Sequence, residues 1–343
     1  MMLYNNLQLF NVAQIQEQNG GVCLFRYPEK VVESLAIPEF DEHDNFVQIY
    51  SKHQVSARAC VGIEIRFFCE SDEIAFVLES ENPISVSVYS GDYQVAISHM
   101  PAGRHTFTAQ RNAAVKGVRE VNRFAADMWR ILPISNSPVT FFGVETKTPI
   151  LPFVEPKSST MLVYGSSISQ GVGAPYCLFP YVEIAGNILG YQVKNKAIAG
   201  GCFCEKEVLE YLKSEDFDVA YFELGTNIAN RPIEIIEERV GEFIDNFCQH
   251  FPNKKLFFAT PVKAFDDVSD QSIPYGRYFA NTRKVITERS KKYPNTFLID
   301  GHKLSEKAYY LSSDVLHPSG FGHIMMGVEL AESIKNSQNE NNA

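Results

Sequence analysis

The stretch LVYGSSISQG, residues 162–171, runs apolar from Leu162 to Tyr164 and then breaks at Gly165-Ser166-Ser167. A short apolar run stopped by glycine reads as a strand buried on both faces. Two serines then stand side by side where the strand ends. Either could be a nucleophile. Either could equally close a turn or cap a helix. The rest of the chain has to decide between these readings.

Downstream the pattern alternates strand and helix. Unbroken apolar strands fall at Met161–Tyr164, Tyr191–Lys194, Val219–Leu224, Leu256–Thr260 and Thr296–Ile299. Helix-period segments cover roughly 177–189, 205–213, 233–251, 275–292 and 320–335. In the clearest of them Ile236, Val240, Phe243, Ile244 and Phe247 form one stripe. Such alternation predicts a parallel sheet covered by helices on both faces. The tail NSQNENNA, 336–343, is polar and should fray.

Upstream the period is two. EIAFVLES puts Ile74, Phe76 and Leu78 on one face, and ISVSVYSGD does the same with Ile84, Val86 and Val88. Turn signals at Glu81-Asn82-Pro83, Ser90-Gly91-Asp92 and Pro101-Ala102-Gly103 separate these runs. Many short alternating strands predict an antiparallel sandwich. A short helix is expected near 118–128. The segment TKTPILPFVEPKSS, 146–159, has three prolines and little periodicity, as a connection between domains would. The expected organisation is an N-terminal β-sandwich domain over 1–150 and an α/β/α domain over 151–343. No internal repeat or low-complexity block interrupts it.

Composition narrows the function classes. The 343 residues carry a formal net charge of −10, with 45% hydrophobic and 21% charged residues. Binding to nucleic acid needs clustered Lys and Arg, and docking on anionic lipid needs a basic surface. Neither is expected. No apolar run approaches the ~18 residues of a membrane span. The first residues lack the charged and apolar regions of a secretory leader, so a leaderless, cytoplasmic chain is the expectation. Seven cysteines without regular spacing agree with reduced thiols. Cys202-Phe203-Cys204 is too tight for a zinc knuckle, and H-E-x-x-H is absent, so no metal and no cofactor are expected. Gly171-Val172-Gly173 lacks the remaining glycine spacing and the lysine of a phosphate loop.

In an open parallel sheet, ligands bind beyond the carboxyl ends of the strands. After the first strand come Ser166 and Ser167. After the second comes NKAIAGG, with Gly200 and Gly201. After the third comes ELGTNIAN, with Gly225 and Asn227. Beyond the fifth comes SSDVLHPSGFGH, with Asp314 and His317. Ester hydrolysis needs a hydroxyl nucleophile, a base for its proton, a carboxylate to orient the base, and donors for the oxyanion. These segments supply one candidate for each role.

The four segments resemble the signature blocks of the SGNH (GDSL-like) hydrolase superfamily. Gly165-Ser166-Ser167-Ile168 is similar to its Gly-Asp-Ser-(Leu/Ile) block. Gly200 stands at the place of its oxyanion glycine. Gly225-Thr226-Asn227 matches Gly-x-Asn, and Asp314-Val315-Leu316-His317-Pro318 matches Asp-x-x-His-Pro. The resemblance covers about 158–335. With the N-terminal β-domain it extends to two-domain members, including carbohydrate esterases. It implies a flavodoxin-like three-layer domain with strand order 2-1-3-4-5, preceded by a jelly-roll-like sandwich. It implies Ser167 as nucleophile, His317 as base, Asp314 as its orienting acid, and an oxyanion hole of Ser167, Gly200 and Asn227. The expected activity is serine-dependent hydrolysis of an acyl ester, acetyl first, on a small-molecule or oligosaccharide substrate. A lysophospholipase or short-chain lipase is the alternative enzyme, and a non-catalytic glycan-binding protein the alternative from another class. The absence of a long apolar lid speaks against lipids.

Two positions depart from the pattern. Ser166 replaces the aspartate before the nucleophile, and Ile228 replaces the aspartate that often follows the Asn. The α/β-hydrolase elbow G-x-S-x-G fits less well, because Ser169 stands where its second glycine belongs. Trp129, in a stretch that lies near the domain junction in similar two-domain proteins, reads first as a packing residue. Tyr275, Tyr278, Tyr309 and Tyr310 could line a sugar or acyl pocket or simply pack. His302 and His323 have no partner visible in the sequence and read as structural.

Overall fold

A computed structural model describes residues 2–35, 53–118, 120, 122–175, 179–270 and 279–340. The chain forms two compact units. One comprises Met1–Val32 and Val55–Ser158, the other Glu33–Gln54 and Ser159–Ala343.

The first unit is a sandwich of two antiparallel sheets. Six strands make one sheet, in the order Leu3–Tyr4, Leu7–Phe10, Glu64–Phe68, Met128–Ile134, Ile84–Ser90 and Tyr93–Met100. Five make the other, in the order Gln14–Gln18, Gly21–Phe25, Val139–Thr146, Glu73–Ser80 and Gly103–Gln110. Alternate residues face inward: Ile65, Phe67, Val86, Val88, Trp129 and Ile131 meet Leu24, Ile74, Phe76, Leu78 and Phe141 in one core. Trp129 is fully buried there, and its indole N–H donates to the Ser71 carbonyl at 3.2 Å.

Charge is also buried in this unit. Arg130 donates to both oxygens of Glu64, at 2.7 and 2.8 Å, and Arg66 adds a third bond at 2.8 Å. Both guanidinium groups lie against the Phe124 ring, at 4.7 Å for Arg66 and 3.8 Å for Arg130. This cluster overturns the helix expected near 118–128. Among the described residues, that segment holds no helix. A 3₁₀ turn, Ala113–Gly117, precedes it, and the Asp92 carboxylate takes the N–H groups of Arg123 and Phe124. Tertiary partners fix the backbone in a loop that delivers Phe124 to the arginines, and local propensity yields to them.

The second unit is three-layered, as the alternation of strand and helix predicts. Its parallel strands are Thr160–Gly165, Gln192–Asn195, Val219–Glu223, Lys255–Ala259 and Thr296–Ile299, paired in the order 2-1-3-4-5. On one face Met161, Val163 and Tyr221 pack against Tyr181, Val182 and Ala185 of the helix Tyr181–Leu189 and Leu330 and Ile334 of the helix Gly320–Glu340. On the other, Tyr164 and Phe222 pack against Phe243, and Phe222 also against Phe247, of the helix Glu242–His250. Fully burying each such side chain contributes roughly 1.5–3 kcal/mol, which is why these strands carry no polar alternation.

The helix expected over 233–251 contains a π-turn, Glu237–Gly241, beside which Arg289 pairs with Glu237 and Asp245. The expected helix over 177–189 starts only at Tyr181, and residues 177 and 178 lie outside the described residues. Of the segment 275–292, the described part is helical over Phe279–Ser290. No helix among the described residues is long and apolar enough to cross a membrane.

Candidate active site

The first parallel strand ends at Gly165, and a single helical turn, Ser167–Gln170, follows at once. Ser166 is its N-cap. The Ser166 hydroxyl accepts the Ile168 N–H at 3.2 Å, and Gly171 ends the turn at φ +104°. The adjacent serines therefore have separate surroundings. Ser166 is fully buried and turns to Glu223, its hydroxyl donating to Oε2 at 2.7 Å. Ser167 is 7% exposed, and its Oγ lies 2.7 Å from Nε2 of His317.

The opposite side of the site is a tight loop before the last helix. Oδ1 of Asp314 accepts the Ser312 hydroxyl at 2.8 Å and the N–H groups of Leu316 and His317, each at 3.0 Å. Oδ2 lies 2.6 Å from Nδ1 of His317. Asp314 thus closes its own turn and also holds the imidazole. Partial burial pushes its carboxyl up, but the His317 ring and the other donors outweigh this and hold it well below the usual carboxylate range. A carboxylate can only accept, so Nδ1 carries the proton and Nε2 faces Ser167 as an acceptor. Between them Val315 sits at φ +57°, a region that β-branched residues avoid. Its amide and carbonyl are both used: the N–H donates to Ser312 and the C=O accepts from Phe265.

Strands two and three flank strand one, so their end loops lie on either side of Ser167. Gly200, at φ +70°, lies in the loop after strand two. The Ile198 N–H donates to the Gly165 carbonyl at 2.9 Å, and the Ala199 N–H to Oε1 of Gln170 at 2.6 Å. The Gly200 loop is thereby tied to the Ser167 turn at two points. After strand three, Asn227 is buried, and its Oδ1 accepts the Cys202 N–H at 3.0 Å. That bond uses the amide oxygen as an acceptor, and the NH₂ is the donating end.

Several expectations change. His323 has partners after all. It is buried, its Nδ1 accepts the Tyr181 N–H at 3.2 Å, and its Nε2 donates to the Val172 carbonyl at 3.0 Å. Burial lowers its pKa to about 4, so it packs as a neutral ring. His302 Nε2 comes within 3.3 Å of Asp267. Tyr309 is 70% exposed, whereas Tyr310 is buried, and both rings lie near Phe321. Tyr275 and Tyr278 lie outside the described residues.

The sequence reading missed Glu223. It closes the strand Val219–Glu223 at full burial, beneath the Ser166–Ser167 turn. Its Oε2 accepts the Ser166 N–H at 2.9 Å and the hydroxyls of Ser166 and Ser169 at 2.7 and 3.2 Å. Its Oε1 accepts the Thr226 hydroxyl at 2.6 Å. Ser169 continues to Tyr181 at 2.7 Å, and Tyr181 to Tyr221 at 3.0 Å. Burial raises the Glu223 pKa above its ordinary value against the pull of these donors. The signal available in sequence was a charged residue ending an otherwise apolar buried strand.

With this geometry in place, the comparisons with known proteins are specific. The model of the GDSL-like Lipase/Acylhydrolase family matches residues 158–335. No curated protein sequence matches the chain. Among solved structures, the salicylyl-acyltransferase SsfX3 from a tetracycline biosynthetic pathway superposes with a TM-score of 0.77 at 13% identity, covering 97% of this chain and 95% of that one. A putative GDSL-like lipase from Bacteroides ovatus gives 0.67 at 16% identity, covering 96% and 95%. An active-site mutant of a family two carbohydrate esterase from Clostridium thermocellum gives 0.64 at 12% identity, covering 97% and 98%. At such identities the likeness is one of fold.

Proposed function

The chain belongs to the GDSL-like lipase/acylhydrolase family and is an ester-bond hydrolase; from that premise we propose that it removes a short acyl group, acetyl first, from a carbohydrate through a Ser167–His317–Asp314 triad. The observation that carries this reading is the unbroken run from Ser167 Oγ to His317 Nε2 at 2.7 Å and from His317 Nδ1 to Asp314 at 2.6 Å.

The steps follow from that run. Ser167 Oγ attacks the ester carbonyl while its proton passes to Nε2 of His317. Asp314 stabilises the resulting imidazolium and remains ionised. The tetrahedral oxyanion faces the N–H groups of Ser167 and Gly200 and the Asn227 amide, each such donor contributing roughly 10²–10³ in rate. Collapse expels the alcohol, which takes the proton from Nε2 and leaves an acyl-Ser167 ester. Water then attacks this ester, giving its proton to His317, and the acid departs as Ser167 recovers its proton.

A carbohydrate alcohol is supported by the carbohydrate esterases of like fold and by the absence of a long apolar lid in the sequence. The test is a panel of acetylated sugars, p-nitrophenyl esters of rising chain length and lysophospholipids. Acetyl esters should be cleaved fastest. Ser167→Ala should lose activity, and Ser166→Ala should keep a reduced rate. Preferred cleavage of lysophospholipids would overturn the substrate class, and an active Ser167→Ala variant would overturn the nucleophile.

A further inference from the structure

We propose that Glu223 is a positioning residue for acyl transfer: reaching across from the third strand, its buried carboxylate clamps the backbone and hydroxyl of Ser166, and so sets where Ser167 points. This inference rests on the triad reading above and adds to it the group that aims the nucleophile.

The hydrogen-bond directions assign the clamp. Ser166 Oγ accepts from Ile168 N–H, so its own proton is the one directed at Glu223. The Ser166 N–H also ends on the same oxygen, at 2.9 Å. Two bonds from one residue to one carboxylate oxygen fix that residue's position and rotation together. The Thr226 hydroxyl holds the other oxygen, so the carboxylate cannot turn away. The order Tyr221 to Tyr181 to Ser169 supplies a further donor from behind. Every donor points toward Glu223, an arrangement that suits an acceptor with no proton of its own to place.

A second, independent observation is Gly165. A Cβ there would meet Ser169 Oγ at 2.7 Å and Glu223 Oε2 at 3.0 Å. The strand end is glycine because the carboxylate and Ser169 press against it. The sequence thus accommodates Glu223 at the residue two before the nucleophile. The clamp also reaches the base indirectly: Ser167 Oγ meets His317 at 2.7 Å only while the residue before it stays fixed. Displacing a reacting atom by about 1 Å can cost about 10²-fold in rate.

The experiment measures the burst of p-nitrophenol released from p-nitrophenyl acetate, with Ser167→Ala as control. A Ser167→Ala variant that keeps the wild-type rate removes the triad reading itself; an inactive Ser167→Ala variant leaves Glu223 to be judged separately. Glu223→Ala should lower the acylation rate constant about 10²-fold, while the ester's dissociation constant, read from the concentration dependence of the burst rate, changes by less than about threefold. Glu223→Gln should recover to within about tenfold of the wild type, because its amide oxygen can take both Ser166 bonds while its NH₂ donates to Thr226 Oγ1. A wild-type burst rate in Glu223→Ala, a loss carried by the ester's dissociation constant, or a Glu223→Gln variant as slow as the alanine variant overturns the proposal. If the alanine variant does not fold, the isosteric Glu223→Gln is combined with Ser166→Ala. Residues acting through one another are non-additive, so the double variant should lose less than the product of the single losses. A loss equal to that product overturns the proposal.

Discussion

Glu64 and Glu223 are both buried glutamates on strands, one in each unit, and they are held in opposite ways. Glu64 is gripped by Arg66 and Arg130, and their charges outweigh burial and hold its carboxyl far below the usual range. Glu223 is held by an amide N–H and hydroxyls, and burial leaves its carboxyl above the usual value. A carboxylate locked between two cations fixes a packing arrangement. A carboxylate surrounded by hydroxyls fixes small polar groups without a counter-cation. The sandwich unit buries its Glu64 charge between cations, whereas the hydrolase unit surrounds Glu223 with short neutral donors.

The sharpest way to break this contrast is to remove chemistry without touching packing. His317→Ala should lower kcat by about 10⁴-fold or more. Asp314→Asn should lower it by up to about 10⁴-fold through the wrong tautomer. Neither should move the unfolding midpoint by much, since both lie in a half-exposed turn. Stopped-flow ester hydrolysis beside thermal unfolding reads both quantities. A large fall in stability would mean that the turn belongs to the core and the contrast is false.

The converse variant is Arg130→Met in the sandwich. Leaving Glu64 with one of its two cations should cost about 3–5 kcal/mol of stability, while the hydrolysis rate per folded molecule stays unchanged. Urea unfolding followed by Trp129 fluorescence measures the first, and active-site titration the second. A neutral effect on stability would show that the ion cluster is not what holds the loop carrying Phe124.

A third buried glutamate sharpens the scale. Glu205 is 6% exposed, neither of its oxygens has a hydrogen-bond partner among the described residues, and burial pushes it up to about 7. Its folded pKa lies above its ordinary 4.5, so between these values the folded state holds more protons than the unfolded. The associated stability is full below pH 4.5 and is lost as pH rises to about 7, by on the order of 3 kcal/mol. Glu205→Gln should flatten that slope and be the more stable protein at pH 8. Unfolding curves of both proteins from pH 4.5 to 8 measure it, and parallel slopes would remove Glu205 from the series.

Much of the hydrolase unit was legible because each signal was local. Apolar strands buried on two faces lose their polar alternation, and Asp314-Val315-Leu316-His317 folds into a turn that its own carboxylate closes. The segment 118–128 misled because its backbone N–H groups are taken by Asp92, some thirty residues upstream. Glu223 was missed, and the partners of His323 went unseen although its structural reading agrees with its burial, for the same kind of reason. The partners of Glu223 come from the adjacent strand end, and His323 meets Tyr181 and Val172 about 150 residues away. A residue whose role depends on distant partners leaves only an anomaly in its own segment, such as a charge ending an apolar strand.

The Ser166–Glu223 pairing also constrains how such a chain can change over time. An aspartate at position 166, as in the Gly-Asp-Ser pattern, would set two carboxylates face to face at full burial, where one of them could stay charged only at the other's expense. Ser166 instead meets Glu223 as a neutral donor, so the pair holds a single buried charge. Placing aspartate at 166 while Glu223 stays would force one of the two carboxyls to carry a proton, and removing the Glu223 charge would relieve that demand.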